Sequence, residues 1–143
     1  MIRASIGRQT TSGTTGTAAF ELVAPTVKSC RVVTIDLRLA TAVTSSFGLG
    51  RPAAKGITPT SPVALLSVTG GESSVVLTKT ALAWATPPTV PAQFYRRVDF
   101  PATVNSRAIW EFETGLWVPA GGTLVIWNLA TNGVVDVNVV IDE

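Results

Sequence analysis

Residues 123–142 read TLVIWNLATNGVVDVNVVID, and this stretch decides the fold class. Its first part, Thr123 to Ala130, is apolar on both faces of an extended chain, whereas its last part alternates valine or isoleucine with polar residues. Such period-two alternation is typical of a half-buried β-strand. The Asn132-Gly133 dipeptide between the two parts predicts a tight hairpin turn, because both residues tolerate positive φ. We therefore expect two antiparallel strands joined by a hairpin.

The same alternation recurs through the rest of the chain. The clearest example places four aliphatic residues on one face of a strand: Val33, Ile35, Leu37 and Leu39. Roughly a third of all residues are Val, Ile or Thr, the β-branched types that favour strands. Turns rich in glycine and proline, among them Gly70-Gly71, separate about eight predicted strands. We predict an all-β protein, an antiparallel β-sandwich of jelly-roll type, with an immunoglobulin-like sandwich as the alternative.

The composition points to an assembled protein. Charged residues make up 14% of the 143 residues and the mean hydropathy is +0.39, whereas a typical soluble domain is about 25% charged. A charge-free run over residues 114–135 is long enough to cross a bilayer, but its glycines, asparagines and proline break it into strands and turns. We therefore expect no membrane contact. Exposed apolar surface of this kind is more often covered by other protein.

The sequence indicates no chemistry. It has no histidine, which removes the usual general base and a usual zinc ligand, and its one cysteine, Cys30, is expected to be an inert core thiol. Glu111 and Glu113 form the best carboxylate pair for glycoside hydrolysis, but their spacing is that of outward residues on one strand face. We predict neither an enzyme nor a cofactor or metal site.

The amino terminus lacks an apolar pattern. Residues 1–16 are rich in Thr, Ser and Gly and contain two cations, Arg3 and Arg8. We interpret this segment as an extended arm that orders on a partner, and residues 17–143 as a single sandwich domain. Residues 1–55 hold seven Lys and Arg against two acidic residues, a polarity suited to contacts between copies or with an acidic surface. The basic residues are too dispersed for direct nucleic-acid binding.

Two tryptophans are candidate interface anchors. The strand that contains Trp127 is apolar on both sides, so one side is expected to face the core and the other to need a second covering layer. We predict that a neighbouring subunit supplies this layer through Trp117 and Trp127, and an intramolecular cover is the alternative.

Three stretches carry a resemblance to a known family: SSFGLGRPAAKGITPT (residues 45–60), ALAWATPPTVPAQFYRRVDFPA (81–102) and GLWVPAGGTLVIWNLATNGVVDVNVVIDE (115–143). Their texture and turn placement resemble small jelly-roll virion proteins of tailed bacteriophages, which decorate or cement the capsid or form short fibres on the head. The resemblance implies a structural protein of the outer capsid surface, made in the host cytoplasm. It further implies a homo-oligomer, dimer or trimer, that contacts the major capsid protein.

In a capsid protein of this kind, the amino-terminal arm would bind a neighbouring capsid subunit through Arg3 and Arg8. Self-association through Trp117 and Trp127 would complete a decoration protein that works by many repeated contacts. The alternative function is a carbohydrate- or receptor-binding module of a phage fibre or tail. Its nearest candidate residues are Trp84, Gln93 and Tyr95, which flank a proline-rich loop.

Overall fold

The computed structural model of the chain describes residues 1–68 and 75–143. Within these ranges the chain forms thirteen β-strands and no helix. In chain order they are β1 (Arg3–Gln9), β2 (Ala18–Val23), β3 (Cys30–Leu39), β4 (Ser45–Gly50), β5 (Ile57–Pro59), β6 (Val63–Ala64), β7 (Leu66–Ser67), β8 (Lys79–Ala81), β9 (Trp84–Thr86), β10 (Arg96–Phe100), β11 (Arg107–Val118), β12 (Thr123–Asn128) and β13 (Val135–Asp142). The described part of the chain therefore has no helix of the length and apolarity that a membrane span requires.

Two antiparallel sheets pack face to face. The first sheet has the strand order β11-β3-β13-β1-β7 and the second has the order β10-β4-β12-β2-β8-β6, while β5 and β9 pair only with each other. Eight principal strands, β1–β4 and β10–β13, alternate between the sheets along the chain except at the β4-to-β10 connection. This is the double Greek key of a jelly roll. The predicted all-β antiparallel sandwich is confirmed, with thirteen strands in the described residues where about eight were expected.

The core lies between the two sheets and is built from alternate residues of the facing strands. The four inward apolar residues of β13 are each at most 1% exposed, as the alternation predicts; they are Val135, Val137, Val139 and Ile141. On β3 the alternation is interrupted. Thr34 pairs with Val140 but Val32 pairs with Ile141, so a bulge places Val32 in the core and leaves Val33 only half-buried. The prediction that Val33 lies inside is therefore wrong.

The predicted hairpin at Asn132-Gly133 is wrong. β12 pairs with β2 and β4 in the second sheet, whereas β13 pairs with β3 and β1 in the first. The connection crosses between sheets, and the buried Asn132 side chain fixes it: its amide nitrogen donates to the Ser46 carbonyl at 2.6 Å and its Oδ1 accepts from the Ser46 amide at 2.8 Å. The sequence Asn-Gly is found both in hairpin turns and where a buried asparagine hydrogen-bonds a neighbouring strand, so the dipeptide alone does not distinguish them.

The predicted amino-terminal arm is also wrong for most of its length. β1 lies between β13 and β7 and pairs with β13 along all seven of its residues. Its core-facing Ala4 is fully buried. The segment looked featureless because its inward positions are small or polar as well as apolar, so hydrophobic alternation is weak there. The sandwich therefore begins at Arg3 and not at residue 17.

The insertion at residues 51–95 connects β4 to β10 and closes one side of the sandwich. Its short strands β7 and β8 extend the two sheets beyond β1 and β2, which protects these strands from being edges. Within residues 63–68 and 75–81 the strands are the short β6, β7 and β8. The predicted Gly70-Gly71 turn lies outside the described residues. On the opposite side, β10 and β11 are the outermost strands of their sheets.

Candidate functional site

The side of the sandwich formed by β10 and β11 carries a cluster that we call the arginine–aromatic surface. It consists of Arg31, Arg51, Phe94, Tyr95, Arg96, Arg97, Phe112 and Trp117. Each arginine in it lies over one aromatic ring, with 5.2 to 5.9 Å between the guanidinium carbon and the ring centroid. Such contacts hold an arginine in place while leaving its charge available to a partner.

Trp117 is the most exposed large ring of this surface. It lies on β11, 48% of it is exposed, and Arg31 from the adjacent β3 stacks on it at 5.6 Å. Arg51 donates from Nη2 to the Trp117 carbonyl oxygen at 2.7 Å. Gly115 permits this arrangement: its φ of +77° accommodates the bulge in β11, and an added Cβ would lie 2.8 Å from that of Arg31.

Arg51 also connects Trp117 to a shallow pocket. Arg51, Gln93, Phe94 and Tyr95 line a pocket of about 220 Å³, and Arg51 stacks on Tyr95 at 5.9 Å. The Tyr95 amide donates to the Leu49 carbonyl at 2.7 Å, which fixes the loop against β4. Trp117 and Tyr95, which the sequence assigned to two different functions, therefore belong to one surface through a single arginine.

The environment of this surface is basic and amphipathic. None of its eight members is acidic, and the exposed carboxylates nearest along the strands are Asp99, Glu111 and Glu113. The predicted exposure of Glu111 and Glu113 on β11 is confirmed. Tryptophan, tyrosine and arginine are the residue types that dominate the binding energy of protein interfaces. The arrangement is suited to binding a polar or acidic surface.

The two arginines of the predicted arm lie on β1 and bond to neighbouring strands. Arg3 forms a bidentate pair with Asp142 of β13, with both nitrogen–oxygen distances at 2.8 Å, and this pair lowers the pKa of Asp142. Arg8 points to the core side of β1, where it donates to the carbonyl and hydroxyl oxygens of Thr80, each at 3.3 Å. Burial lowers the pKa of Arg8. Neither side chain extends from the molecule on an arm.

Trp127 is not at a subunit interface. It is 0% exposed, and its indole nitrogen donates to the Gly50 carbonyl at 3.2 Å. The prediction that a neighbouring subunit covers Trp127 is wrong because the chain supplies its own cover: Phe94 of the insertion lies over the Gly48 and Gly50 backbone, beside the β12 residue Trp127. The glycines make this possible, since an added Cβ at Gly48 would lie 2.8 Å from the Phe94 ring.

Trp84 belongs to the same internal cover and not to the ligand surface expected for it. Its indole nitrogen donates to Oε2 of Glu21, a carboxylate that is 1% exposed on β2, and its ring packs on Gly56. Burial raises the pKa of Glu21, and this effect outweighs the hydrogen bond from Trp84 and smaller contributions from Thr123, Gly56 and Lys55. Of the three residues predicted for the ligand surface, only Gln93 and Tyr95 lie together.

Cys30 is buried at the start of β3, as predicted. Burial raises the pKa of its thiol to about 11, a neighbouring carboxylate (Glu143) adds to this, and the Thr78 hydroxyl opposes it. A thiol of this kind stays protonated and unreactive at neutral pH.

The sequence predicts only Tyr95 and Trp117 of this surface and misses its other six members: Arg31, Arg51, Phe94, Arg96, Arg97 and Phe112. Arg31 and Arg51 contribute to the basic balance of residues 1–55, but no local pattern shows that a residue of β3 and a residue after β4 reach the same edge. The only usable indication was the glycine alternation of Gly48 and Gly50, which marks a close approach of another chain segment.

No family model, curated protein or solved structure matches the chain.

Proposed function

We propose that this chain is a structural virion protein that decorates and stabilises the outer surface of a bacteriophage capsid. Its principal partner would be the major capsid protein, contacted through protein–protein interactions, and copies of the chain would also associate with one another. The protein would be made in the host cytoplasm and act on the assembled particle. The resemblance of residues 45–60, 81–102 and 115–143 to jelly-roll virion proteins suggests this function.

The observation that supports the proposal best is the arginine–aromatic surface. A decoration protein needs a rigid scaffold and a few strong anchoring side chains in place of a catalytic centre. Trp117, Tyr95 and Arg51 provide such anchors on the ordered edges of a sandwich. Because a capsid presents the same acceptor surface many times at fixed spacing, even weak single contacts would hold the coat through multivalency.

The capsid contact would be the arginine–aromatic surface, and not Arg3 and Arg8 as the sequence predicted. Arg3 and Arg8 are already bound within the sandwich and cannot reach a distant subunit without loss of β1 pairing. Arg51 and Trp117 are held in position yet remain accessible. A preorganised surface loses less conformational entropy on binding than an arm that must order.

The experiment compares phage particles assembled with and without the chain. We expect purified wild-type protein to bind heads that lack it and to raise the temperature at which those heads release their DNA. Trp117→Ala and Tyr95→Ala should each reduce occupancy at a given protein concentration by roughly tenfold or more, as expected for an interface anchor. Val63→Ala, on the far edge of the second sheet, is the matched control and should bind as wild type.

Heads that neither bind the chain nor change in stability would contradict the proposal. Full binding by both the Trp117→Ala and Tyr95→Ala variants would contradict the assignment of this surface.

The alternative function is a carbohydrate- or receptor-binding module of a phage fibre or tail, and the pocket of Arg51, Gln93, Phe94 and Tyr95 favours it specifically. A ring edge, an amide and a guanidinium around about 220 Å³ could bind one sugar residue. Glycan-array binding that is lost in Gln93→Ala, with head binding absent, would favour this alternative over capsid decoration.

A further inference from the structure

The outer edge of β11 is open along half of its length. β11 is the terminal strand of the first sheet, and among residues 1–68 and 75–143 no strand pairs with its outer edge. The second half of this edge is capped, because Arg51 donates to the Trp117 carbonyl oxygen at 2.7 Å. The first half, residues 107–111, pairs regularly with β3 on its inner side. An open edge of this kind is a template for pairing with another strand.

The backbone groups that point outward from this edge can be identified. The Leu39 amide donates to the Ser106 carbonyl at 2.8 Å, and the Ala40 amide donates in the other direction, to the Val134 carbonyl, at 2.9 Å. Because hydrogen-bonded pairs alternate along an antiparallel ladder, the even-numbered residues of β11 bond to β3. The amide and carbonyl groups of Arg107, Ile109 and Glu111 therefore face away from the sheet.

The side chains of the same three residues lie on one face. Ile109 is opposite Asp36 on the outer face of the first sheet and is 47% exposed. Arg107 and Glu111 lie two residues to either side of it, so they share this face. The regular ladder ends after Glu111, where the pairing with β3 shifts at a bulge. The open segment is thus five residues long, with an apolar centre and opposite charges at its ends. Arg107 also pairs with Asp36 of its own chain through Nε and Nη2, at 2.8 and 2.7 Å, so a carboxylate of a second copy would be its second acidic partner.

This segment is complementary to itself. In an antiparallel pair of two copies, only one register pairs all five residues of one copy with all five of the other. That register places Ile109 against Ile109 on a two-fold axis and each Arg107 against a Glu111 of the second copy. The two outward-facing Ile109 residues then form a hydrogen-bonded pair, which matches the direction of the free amide and carbonyl groups.

We infer that two copies of this chain associate through β11, joining their first sheets into one continuous sheet across a two-fold axis. The occupant of the edge is a second copy because the charge pattern matches its own reverse. This deepens the proposed function by naming the surface through which copies meet. Its test uses the purified chain alone, so that its failure is distinct from a failure to bind capsids.

The association in solution is expected to be weak. Five residue pairs bury less than a standard interface, so a dissociation constant of roughly 10–100 µM is the expected range. On a capsid, the raised local concentration of bound copies would favour the pair.

The first experiment uses the axis residue, since opposite charges there attract and like charges repel. We expect Ile109→Lys and Ile109→Glu each to weaken the dimer at least about tenfold by analytical ultracentrifugation, and an equal mixture of the two to restore it. Val63→Lys and Val63→Glu are the matched controls, because Val63 is 41% exposed on the far edge of the second sheet. Both controls should dimerise as wild type. Thermal unfolding confirms that every variant is folded.

The second experiment tests the register. Glu111→Lys places a lysine against Arg107 of the second copy, and Arg107→Glu places two glutamates together, so each variant alone should dimerise at least about tenfold more weakly than wild type. In an equal mixture of the two variants, the unchanged Arg107 of the first meets the unchanged Glu111 of the second, and the introduced lysine meets the introduced glutamate. Every contact between the two copies then joins a cation to a carboxylate, and the mixture should recover the dimer. Within the Arg107→Glu copy the new glutamate lies beside Asp36, so thermal unfolding of that variant is measured as well.

Three outcomes overturn the inference. A wild-type chain that stays monomeric up to about 1 mM is the first. The others are a dimer that Ile109→Lys leaves unchanged and a weakened dimer that no mixture restores.

Discussion

Two buried carboxylates in this sandwich have opposite effects on stability. Glu21 accepts a hydrogen bond from Trp84, yet in the described part of the chain no donor reaches its second oxygen, Oε1. Glu143 accepts from the Thr78 hydroxyl at 2.6 Å, from the Thr78 amide at 2.7 Å and from the Leu77 amide. Burial alone would raise both pKa values, but the hydrogen bonds to Glu143 together reverse the effect and lower its pKa. Satisfied hydrogen bonds decide the sign.

Replacing Glu21 by glutamine should stabilise the protein at neutral pH. A raised pKa means that folding favours the protonated acid, so the charged form costs stability, and this cost is complete only above the raised pKa. The neutral amide of Glu21→Gln accepts from Trp84 and removes that cost. We expect a gain in the free energy of unfolding at pH 8 that shrinks as the pH falls through the raised pKa and has vanished below the ordinary value of 4.5. Urea unfolding at several pH values measures it, and a variant less stable than wild type at pH 8 would contradict the assignment.

Replacing Glu143 by glutamine should do the opposite. A lowered pKa means that folding favours the carboxylate, so its contribution is fully present above the ordinary pKa of 4.5 and is lost as the pH falls through the lowered value. Glu143→Gln should cost about 1–2 kcal/mol at pH 7, and the difference should narrow in acid. The same urea series measures it. Equal stability of the variant and wild type at pH 7 would show that the hydrogen bonds to Leu77 and Thr78 contribute nothing.

Mutation of Trp117 and of Trp127, which the sequence assigned to one interface, should lower the free energy of unfolding by different amounts. Trp127→Ala removes a fully buried ring and its hydrogen bond to Gly50, which should lower the free energy of unfolding by about 3–5 kcal/mol. Trp117→Ala removes a ring that is half exposed and should cost less than about 1 kcal/mol. Chemical denaturation of both variants makes the comparison. Similar costs would contradict the placement of Trp127 inside and Trp117 outside.

At the scale of elements, β1 is the strand whose role differs most from the sequence-based expectation. It is an interior strand of the first sheet, so a charge on its core side should be far more harmful than one on its outer side. Ala4→Asp, at a fully buried site, should abolish folding or lower stability by at least about 3 kcal/mol. Ser5→Asp, one residue away on the outer face, should be tolerated. Circular dichroism with urea unfolding distinguishes this outcome from that of a free arm, which would tolerate both changes.

Element types could be predicted from the sequence, but the connections between them could not. The alternation in β13 and most of β3 correctly predicts strands because one face of each meets a continuous apolar core. Asn132 misleads because its buried side chain bonds Ser46 of β4, a partner 86 residues away. The bulge at Val33 misleads in the same manner, since it depends on the pairing with β13. Long-range pairing, not local preference, decides these positions.

The candidate site was predictable only in part for a similar reason. Trp117, Gln93 and Tyr95 could be identified as exposed aromatic and amide side chains next to loops. That they share one surface depends on Arg51, which contacts both the Trp117 carbonyl and the Tyr95 ring. Arg51 follows β4, so its position relative to β11 is set by the pairing of the sheets. No sequence pattern shows that Arg51 lies close to β11.

At the scale of the molecule, the insertion at residues 51–95 explains much of the low charge content. The sandwich has a core between its sheets, and the outer face of the second sheet is buried as well, with Val125 and Trp127 both at 0% exposure. Two buried layers need more apolar residues than one. The outer face of the first sheet is different, since Arg3–Asp142 and Arg107–Asp36 pairs lie across its strands. Among the exposed large apolar side chains outside the insertion, Ile109 and Trp117 both lie on β11.

The charge distribution predicts how the two proposed contacts respond to salt. The arginine–aromatic surface has four arginines and no acidic member, so its binding to an acidic capsid surface should weaken steeply between roughly 50 and 500 mM NaCl, as screening shortens to a few ångströms. The β11 pair, held by backbone hydrogen bonds and balanced charges, should weaken much less.

Arg51→Lys and Arg51→Gln separate charge from geometry. The lysine retains the charge but loses the planar stacking on Tyr95 and the aligned hydrogen bond to the Trp117 carbonyl, whereas the glutamine loses the charge too. If charge dominates, Arg51→Lys should bind capsids nearly as wild type and keep the salt dependence, while Arg51→Gln should bind weakly with a reduced salt dependence. If stacking dominates, both variants should lose binding equally at every salt concentration. Capsid binding that does not change with salt would contradict an acidic partner, because the four arginines would then make no electrostatic contribution to binding.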